Sequence, residues 1–257
     1  MSDFPADFLY CSRVRRSPNV NSRGGIKPDI LLMHYTGMET AELAEERLCH
    51  PAAEVSSHYL VYENGHVVQM VREEERAWHA GRGSWKGSQD VNARSIGIEI
   101  ANVGYVEGKG FAPFPDIQIA AVIRLSRDII ARNNIPPEHV LGHSDVAPGR
   151  KIDPGDNFPW ARLAAEGVGH WVEPVEPTLA DAGREVVPFG DAAVVQTMLQ
   201  GYGYGIECTG KFDEQTERVV TAFQLHFRQK RVDGIADAST VRTLEALASK
   251  LTVNKRM

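Results

Sequence analysis

Ser95-Ile96-Gly97-Ile98-Glu99-Ile100-Ala101 is the stretch on which the fold turns. Its residues alternate with period two, so Ile96, Ile98 and Ile100 face one way and Ser95, Gly97, Glu99 and Ala101 the other. That is the pattern of a strand with one face in a core. Upstream, Ile30-Leu31-Leu32-Met33 is a four-residue buried-strand candidate. Tyr59-Leu60-Val61-Tyr62, a turn at Glu63-Asn64-Gly65 and Val67 to Val71 read as a β-hairpin. Downstream, Asp116 to Asn133 is an amphipathic helix, with Ile119, Val122, Leu125 and Ile129 on one face and Arg124, Arg127, Asp128 and Arg132 largely outside it. Pro136-Pro137 stops it, and Val140-Leu141 is a short apolar entry into Gly142-His143. Short apolar runs alternating with helical patterns predict an α/β domain, a mixed central β-sheet flanked by helices.

Between about Gly167 and Pro188 the periodicity fades and Pro174, Pro177 and Pro188 accumulate, which reads as a linker. Beyond it the chain turns helical, with candidates at Asp191 to Leu199, Glu214 to Phe227 and about Ser239 to Leu251. Gly210-Lys211-Phe212-Asp213-Glu214-Gln215-Thr216 and Gly234-Ile235-Ala236-Asp237-Ala238-Ser239-Thr240 share the spacing G-x-x-D-x-x-T. In each, the Gly permits a tight turn and the Asp can N-cap the next helix. The organisation expected is a domain over residues 1–170, a linker over 171–187 and a small three-helix domain over 188–257. If the last is a separate module, a chain ending near Gly169 keeps its fold; the rival arrangement packs the helices on the first domain.

The 257 residues are 42% apolar and 24% charged, the composition of an ordinary globular protein. A net charge of -6 argues against nucleic acid as a partner. Cys11, Cys49 and Cys208 are odd in number and far apart, so they suggest neither a disulfide framework nor a thiolate metal site. No stretch approaches the roughly 20 apolar residues of a membrane span. The segment Met1-Ser2-Asp3-Phe4-Pro5 has no basic region followed by an apolar one, so the expected compartment is the cytoplasm, or the periplasm if the start shown omits a leader. The oligomeric state expected is a monomer.

Nine histidines must be sorted before any is assigned a role. His34 follows the first buried strand and His143 follows Val140-Leu141-Gly142, both at strand ends where loops build sites. Asp153 comes ten residues after His143. Two imidazoles and a carboxylate form a three-ligand set with a fourth position for water, the pattern of catalytic zinc. Two other readings stay open: three unrelated loop residues, or a His139–His143 pair at helical spacing. His50, His66, His170 and His226 read as structural or exposed. Glu99 sits mid-strand beside the small Gly97 and Ala101, which leaves room for substrate, although a salt bridge to an edge Arg would also account for it. Lys151, two residues before Asp153, shares its side in an extended segment and could hold an oxyanion; it could equally be a solvated lysine beside Arg150.

Six motifs together resemble the type-2 N-acetylmuramoyl-L-alanine amidase family, which includes phage T7-type lysozymes and animal peptidoglycan recognition proteins. They are Met33-His34-Tyr35-Thr36, Ser56-Ser57-His58-Tyr59-Leu60-Val61, Ala77-Trp78-His79-Ala80-Gly81, Ser95-Ile96-Gly97-Ile98-Glu99, Gly142-His143-Ser144-Asp145 and Arg150-Lys151-Ile152-Asp153-Pro154-Gly155, in the family's order across about residues 25–170. The AmpD/AmiD-like subgroup is the nearest in pattern. The resemblance implies Zn2+ held by His34, His143 and Asp153, Glu99 as general base and Lys151 as oxyanion stabiliser. It also implies substrate contacts at Tyr35, His58, Trp78 and His79, and a muropeptide or peptidoglycan substrate. Asp153 stands where T7-type lysozymes and catalytic recognition proteins carry a Cys. The alternative is a non-catalytic recognition module, but such relatives typically lack a zinc ligand and here all three positions are filled. Val195-Gln196 to Leu199, Gly210 to Asp213, Ala222-Phe223-Gln224 and Asp233 to Asp237 resemble the three-helix peptidoglycan-binding domain often fused to wall hydrolases, although the Phe227–Asp233 region departs from its usual Gly-Leu spacing. AmiD-like enzymes are commonly lipoproteins of the periplasmic side of the outer membrane, which conflicts with the missing export signal.

Overall fold

A computed structural model describes residues 4–176 and 191–254. In chain order the first half holds β1 (Arg13–Val14), β2 (Val20–Ser22), β3 (Ile30–Tyr35), α1 (Ala41–Leu48), β4 (Tyr59–Val61), β5 (Val67–Gln69), β6 (Glu75–Ala77), α2 (Val91–Arg94) and β7 (Ser95–Ile100). Then come β8 (Tyr105–Val106), β9 (Gly110–Phe111), α3 (Asp116–Asn133), β10 (Val140–Gly142), α4 (His143–Val146) and α5 (Trp160–Ala165). The C-terminal helices are α6 (Ala192–Tyr202), α7 (Glu214–Phe227) and α8 (Ala238–Asn254). Among the described residues no helix is long and apolar enough to cross a membrane.

The central sheet has six strands in the order β1-β5-β4-β7-β3-β10. All its pairings are parallel except the β4–β5 hairpin. The alternation in β7 does what its sequence implies. Ile96, Ile98 and Ile100 join Leu31 and Met33 in a core closed by Ile119, Val122, Leu125 and Ile129 of α3 and by Phe158, Trp160 and Leu163 around α5. α3 has the bounds read from its periodicity and ends on Asn134 in the left-handed conformation (φ 54°), just before Ile135-Pro136-Pro137.

The opposite face of the sheet is covered at its two sides. α1 packs Ala44 and Leu48 on Leu60, Val68 and Met70. Across the sheet, Ile30, Leu32 and Leu141 lie under Trp85, Val146 and the C-terminal helices. Between these two covers the middle strands β3 and β7 carry His34 opposite Glu99 in register. The β3 strand continues through His34 and Tyr35, two residues beyond its sequence reading, because β7 offers backbone partners up to Ile100. His34 is therefore a strand residue, paired with Glu99 of β7 one position past the end of the β10 ladder at Met33.

The C-terminal helices do not stand apart. Val195, Leu199, Tyr202, Tyr204, Phe223 and Phe227 share one core with Ile30, Leu32, Trp85 and Val146. Trp85 is fully buried, edge-on to Tyr202 and Tyr204 at centroid distances of 6.1 and 5.1 Å. The structure thus favours the packed arrangement over a separable module. Of the expected linker, Trp171 and Val172 already pack on this core and the Val175 N–H donates to Thr243 Oγ1; residues 177–187 lie outside the described residues.

The internal repeat is structural. Asp213 Oδ1 accepts from the Thr216 N–H and hydroxyl, and Asp237 Oδ1 accepts from those of Thr240. Two buried glutamines complete the likeness. Gln196 accepts from the Gly210 N–H and donates to the Lys211 carbonyl, and Gln224 does the same with Gly234 and Ile235.

Candidate active site

A cavity of about 330 Å³ opens over β3 and β7, lined among others by His34, Tyr35, Trp78, His79, Glu99, His143, Lys151 and Asp153. Eight of the nine residues that the sequence and the resemblance assign to the site therefore meet there. The ninth, His58, does not. It is fully buried, its Nδ1 accepts from the Gly97 N–H at 2.9 Å, and its Nε2 lies 3.1 Å from the Glu75 carbonyl and 2.8 Å from Arg23. Burial, then the Arg23 charge, hold its pKa well below the usual histidine value. His58 is a strut between strands; its place in a motif beside two serines gave no sign of which way it points.

His34 reaches the site from β3. His143 begins α4 directly after β10, and Asp153 sits on the loop that follows. The Ser144 N–H donates to the Asp153 carbonyl at 3.0 Å, so the segments carrying the second and third of these residues are tied by their backbones. His34 Nδ1 is 3.0 Å from His143 Nδ1 and 3.0 Å from Asp153 Oδ2, and His143 Nδ1 is 3.1 Å from the same oxygen. Among the described residues this is the group of ligating side chains close enough to share a metal.

The protons on these rings follow from their outer partners. Ser95 donates its hydroxyl to the Val91 carbonyl, so Ser95 Oγ is left to accept from His79 Nε2 at 3.2 Å. His79 Nδ1 then accepts from His34 Nε2 at 2.9 Å. Likewise His143 Nε2 donates to the Ala80 carbonyl at 2.9 Å. In neutral imidazoles both Nδ1 atoms are consequently bare. Burial and the neighbouring His143 push the His34 pKa down to about 4, so it is neutral at pH 7. Asp153 is the third group, a buried carboxylate whose Oδ2 faces both bare nitrogens. Three electron-pair donors thus converge with no proton among them, an arrangement that repels unless a cation sits between. Ligand distances of about 2.0–2.1 Å in a tetrahedron give donor–donor edges of about 3.3–3.4 Å, close to those seen here. The residues fit a divalent metal and leave a fourth position for water or substrate.

Glu99 is half-buried beside His34, and its Oε2 has no hydrogen-bond partner among the described residues. No Arg pairs with it among the described residues, so the salt-bridge reading falls away. Burial, then the negative Asp153, push its pKa up to about 8 against the pull of Lys151. Such a value suits a group that must take and return a proton near neutral pH. Lys151 lines the same cavity, and no carboxylate lies within ion-pair distance of it among the described residues. His139 bonds the Asp29 carbonyl at 2.9 Å, which removes the His139–His143 pair from consideration.

Sequence reasoning missed three supports. His79 lines the cavity, but both its ring nitrogens are occupied, one by His34. Gly97 makes room for it, since a Cβ there would lie 2.6 Å from His79 Nδ1. Arg150 donates to the carbonyls of Ala80 and Arg82, bracing the loop whose Ala80 carbonyl orients His143.

Residues 24–156 match the sequence family described as N-acetylmuramoyl-L-alanine amidase, and residues 190–244 match a putative peptidoglycan binding domain. The chain is 42% identical over 235 residues to the N-acetylmuramoyl-L-alanine amidase AmiD of Escherichia coli, covering 86% of this chain and 82% of that protein. A solved complex of E. coli AmiD with the substrate anhydro-N-acetylmuramic acid-L-Ala-D-gamma-Glu-L-Lys superposes with a TM-score of 0.75 and 40% identity over 92% of this chain and 93% of that one. AmpDh3 of Pseudomonas aeruginosa superposes with a TM-score of 0.76 and 30% identity, covering 98% of this chain and all of that one (100%). The fold, the cavity and these likenesses agree: the chain is an amidase and belongs to the N-acetylmuramoyl-L-alanine amidase family.

Proposed function

We propose that this amidase is zinc-dependent and hydrolyses the amide between the lactyl group of N-acetylmuramic acid, or its anhydro form, and the L-alanine of the stem peptide, in wall turnover or muropeptide recycling. The observation that carries this reading is the convergence of two bare imidazole nitrogens and one carboxylate beside an unpaired, half-buried Glu99. His34, His143 and Asp153 would hold the ion, and when bound it would polarise the scissile carbonyl and lower the pKa of water. Glu99 takes a proton from the attacking water and returns it to the leaving L-alanine nitrogen. Lys151, with no carboxylate partner among the described residues, steadies the oxyanion that develops on the former carbonyl oxygen. Tyr35 and Trp78 line the cavity where the muropeptide would lie. The C-terminal domain would hold polymeric wall near this cavity, raising the local concentration of cleavable bonds.

The test is incubation with an anhydromuramoyl peptide, with release of free peptide followed by mass spectrometry. We expect release, its loss on chelation and its recovery with added zinc. Full activity after exhaustive metal removal would sink the zinc mechanism.

A further inference from the structure

His143 is held from behind by residues of the C-terminal domain. Asp145, fully buried in α4, accepts through Oδ2 from the Gly142 backbone N–H at 2.7 Å and from His226 Nδ1 at 2.7 Å. Its other oxygen, Oδ1, accepts from the Tyr204 hydroxyl at 2.6 Å. Tyr204 follows α6 and His226 lies on α7, so two separate pieces of the C-terminal domain grip one carboxylate of the catalytic domain. The grip is rigid. The His226 ring stacks on Trp160 (centroids 3.8 Å apart, 20° between planes) and on Phe227 (3.8 Å, 4°). Tyr204 is itself fixed edge-on to Trp85.

We propose that Tyr204 and His226 are positioning residues of the metal site. They fix Asp145, which fixes the Gly142 N–H and the first turn of α4, and that turn presents His143 Nδ1 to His34 and Asp153. A buried carboxylate that loses one of its donors must regain hydrogen bonds by moving or by admitting water. Movement of α4 would displace two of the three converging donors, because Ser144 N–H is bonded to the Asp153 carbonyl. The C-terminal domain, matched to a wall-binding family, is on this reading part of the amidase centre itself. The inference rests on the zinc reading above and adds to it a role for residues beyond position 200.

The test uses the full chain as Tyr204→Phe, His226→Ala and His226→Asn, the last retaining a side-chain N–H near the place of Nδ1. Zinc affinity is measured by competition with a chromophoric chelator, and site geometry by the visible spectrum of the cobalt-substituted protein. Partners outside the ligand shell typically alter metal affinity by about 10- to 100-fold. We expect Tyr204→Phe and His226→Ala to weaken zinc by about 10-fold or more and to shift the cobalt bands, and His226→Asn to restore much of both. Leu244→Ala opens a hole in the same core without touching this hydrogen-bond network; it should lower the melting temperature and leave zinc affinity unchanged. Should His226→Ala fail to fold, Tyr204→Phe and His226→Asn still decide the matter. Zinc affinities within twofold of wild type, or an equal loss in Leu244→Ala, would overturn the inference and leave the zinc reading standing. A wild-type protein that takes up no zinc overturns both.

Discussion

Replacing Glu99 by Gln should make the metal-stripped protein more stable, by an amount that depends on pH. The Glu99 carboxyl is pushed up to about 8 by burial and by Asp153, whereas in an unfolded chain it titrates near about 4.3. Between those values the folded protein binds the extra proton, so stability contributed by this group falls as pH rises through the window. The cost is on the order of 1 kcal/mol at pH 5 and about 3.5 kcal/mol at pH 7, approaching about 5 kcal/mol above pH 8. Neutral glutamine has nearly the same shape and none of this penalty. Urea denaturation with excess chelator at pH 5 and pH 7 measures the difference between the two proteins. We expect the variant to gain little at pH 5 and several kcal/mol at pH 7. A gain identical at both pH values, or a loss at pH 7, refutes the claim that Glu99 carries a buried ionisation penalty. With metal restored the gain should shrink, because a nearby cation favours the carboxylate.

The same Glu99→Gln substitution should lower kcat by roughly 10²- to 10⁴-fold while zinc stays bound; loss of the metal on elemental analysis would instead make Glu99 a ligand. Lys151→Ala should lower kcat by about 10²- to 10³-fold with metal content unchanged, and steady-state kinetics on a muropeptide reads this directly. Gly97→Ala should weaken zinc binding, because its methyl would lie 2.6 Å from His79 Nδ1, push the ring away and so disturb His34; an affinity equal to wild type argues that His79 has no hold on His34. A chain ending at Glu176 should be insoluble. Trp85 would keep Ile30, Leu32 and Val146 but lose its C-terminal cover; exposing about half of its roughly 150–250 Å² costs about 2–3 kcal/mol, and Ile30, Leu32 and Leu141 would add to this, against a typical total stability of about 5–15 kcal/mol. Recovery of a folded, active fragment would count against the shared core.

The strands and helices that build the catalytic domain were legible because they obey simple periods. Ile96, Ile98 and Ile100 could pack only if Glu99 faced the other way, and α3 carried both its apolar stripe and its stop signal. His34, His143 and Asp153 were legible as residue types, but spacings of 109 and 10 residues leave a pairing open until the strands are placed. The supporting layer was hidden for a different reason. The Ala80 carbonyl that orients His143 is backbone and leaves no mark on the sequence. Tyr204 and His226 meet Asp145 across 59 and 81 residues, through contacts that no local pattern encodes. The C-terminal helices were read correctly as helices, yet an apolar stripe looks the same whether it meets its own module or another. Only packing could show that Leu199 and Phe223 share a core with Trp85.

That shared core gives the order of synthesis a meaning. The ribosome delivers the chain from its N-terminus at about 5–20 residues per second, so the strands of the sheet emerge before the residues that cover Trp85 and anchor Asp145. At that rate the stretch from about residue 170 to residue 226 takes roughly 3–11 s. During this interval the apolar wall around Trp85 lacks its cover, and on the proposal above α4 lacks the brace that presents His143. On that proposal the metal site reaches its finished geometry only once α6 and α7 have followed the sheet out of the ribosome.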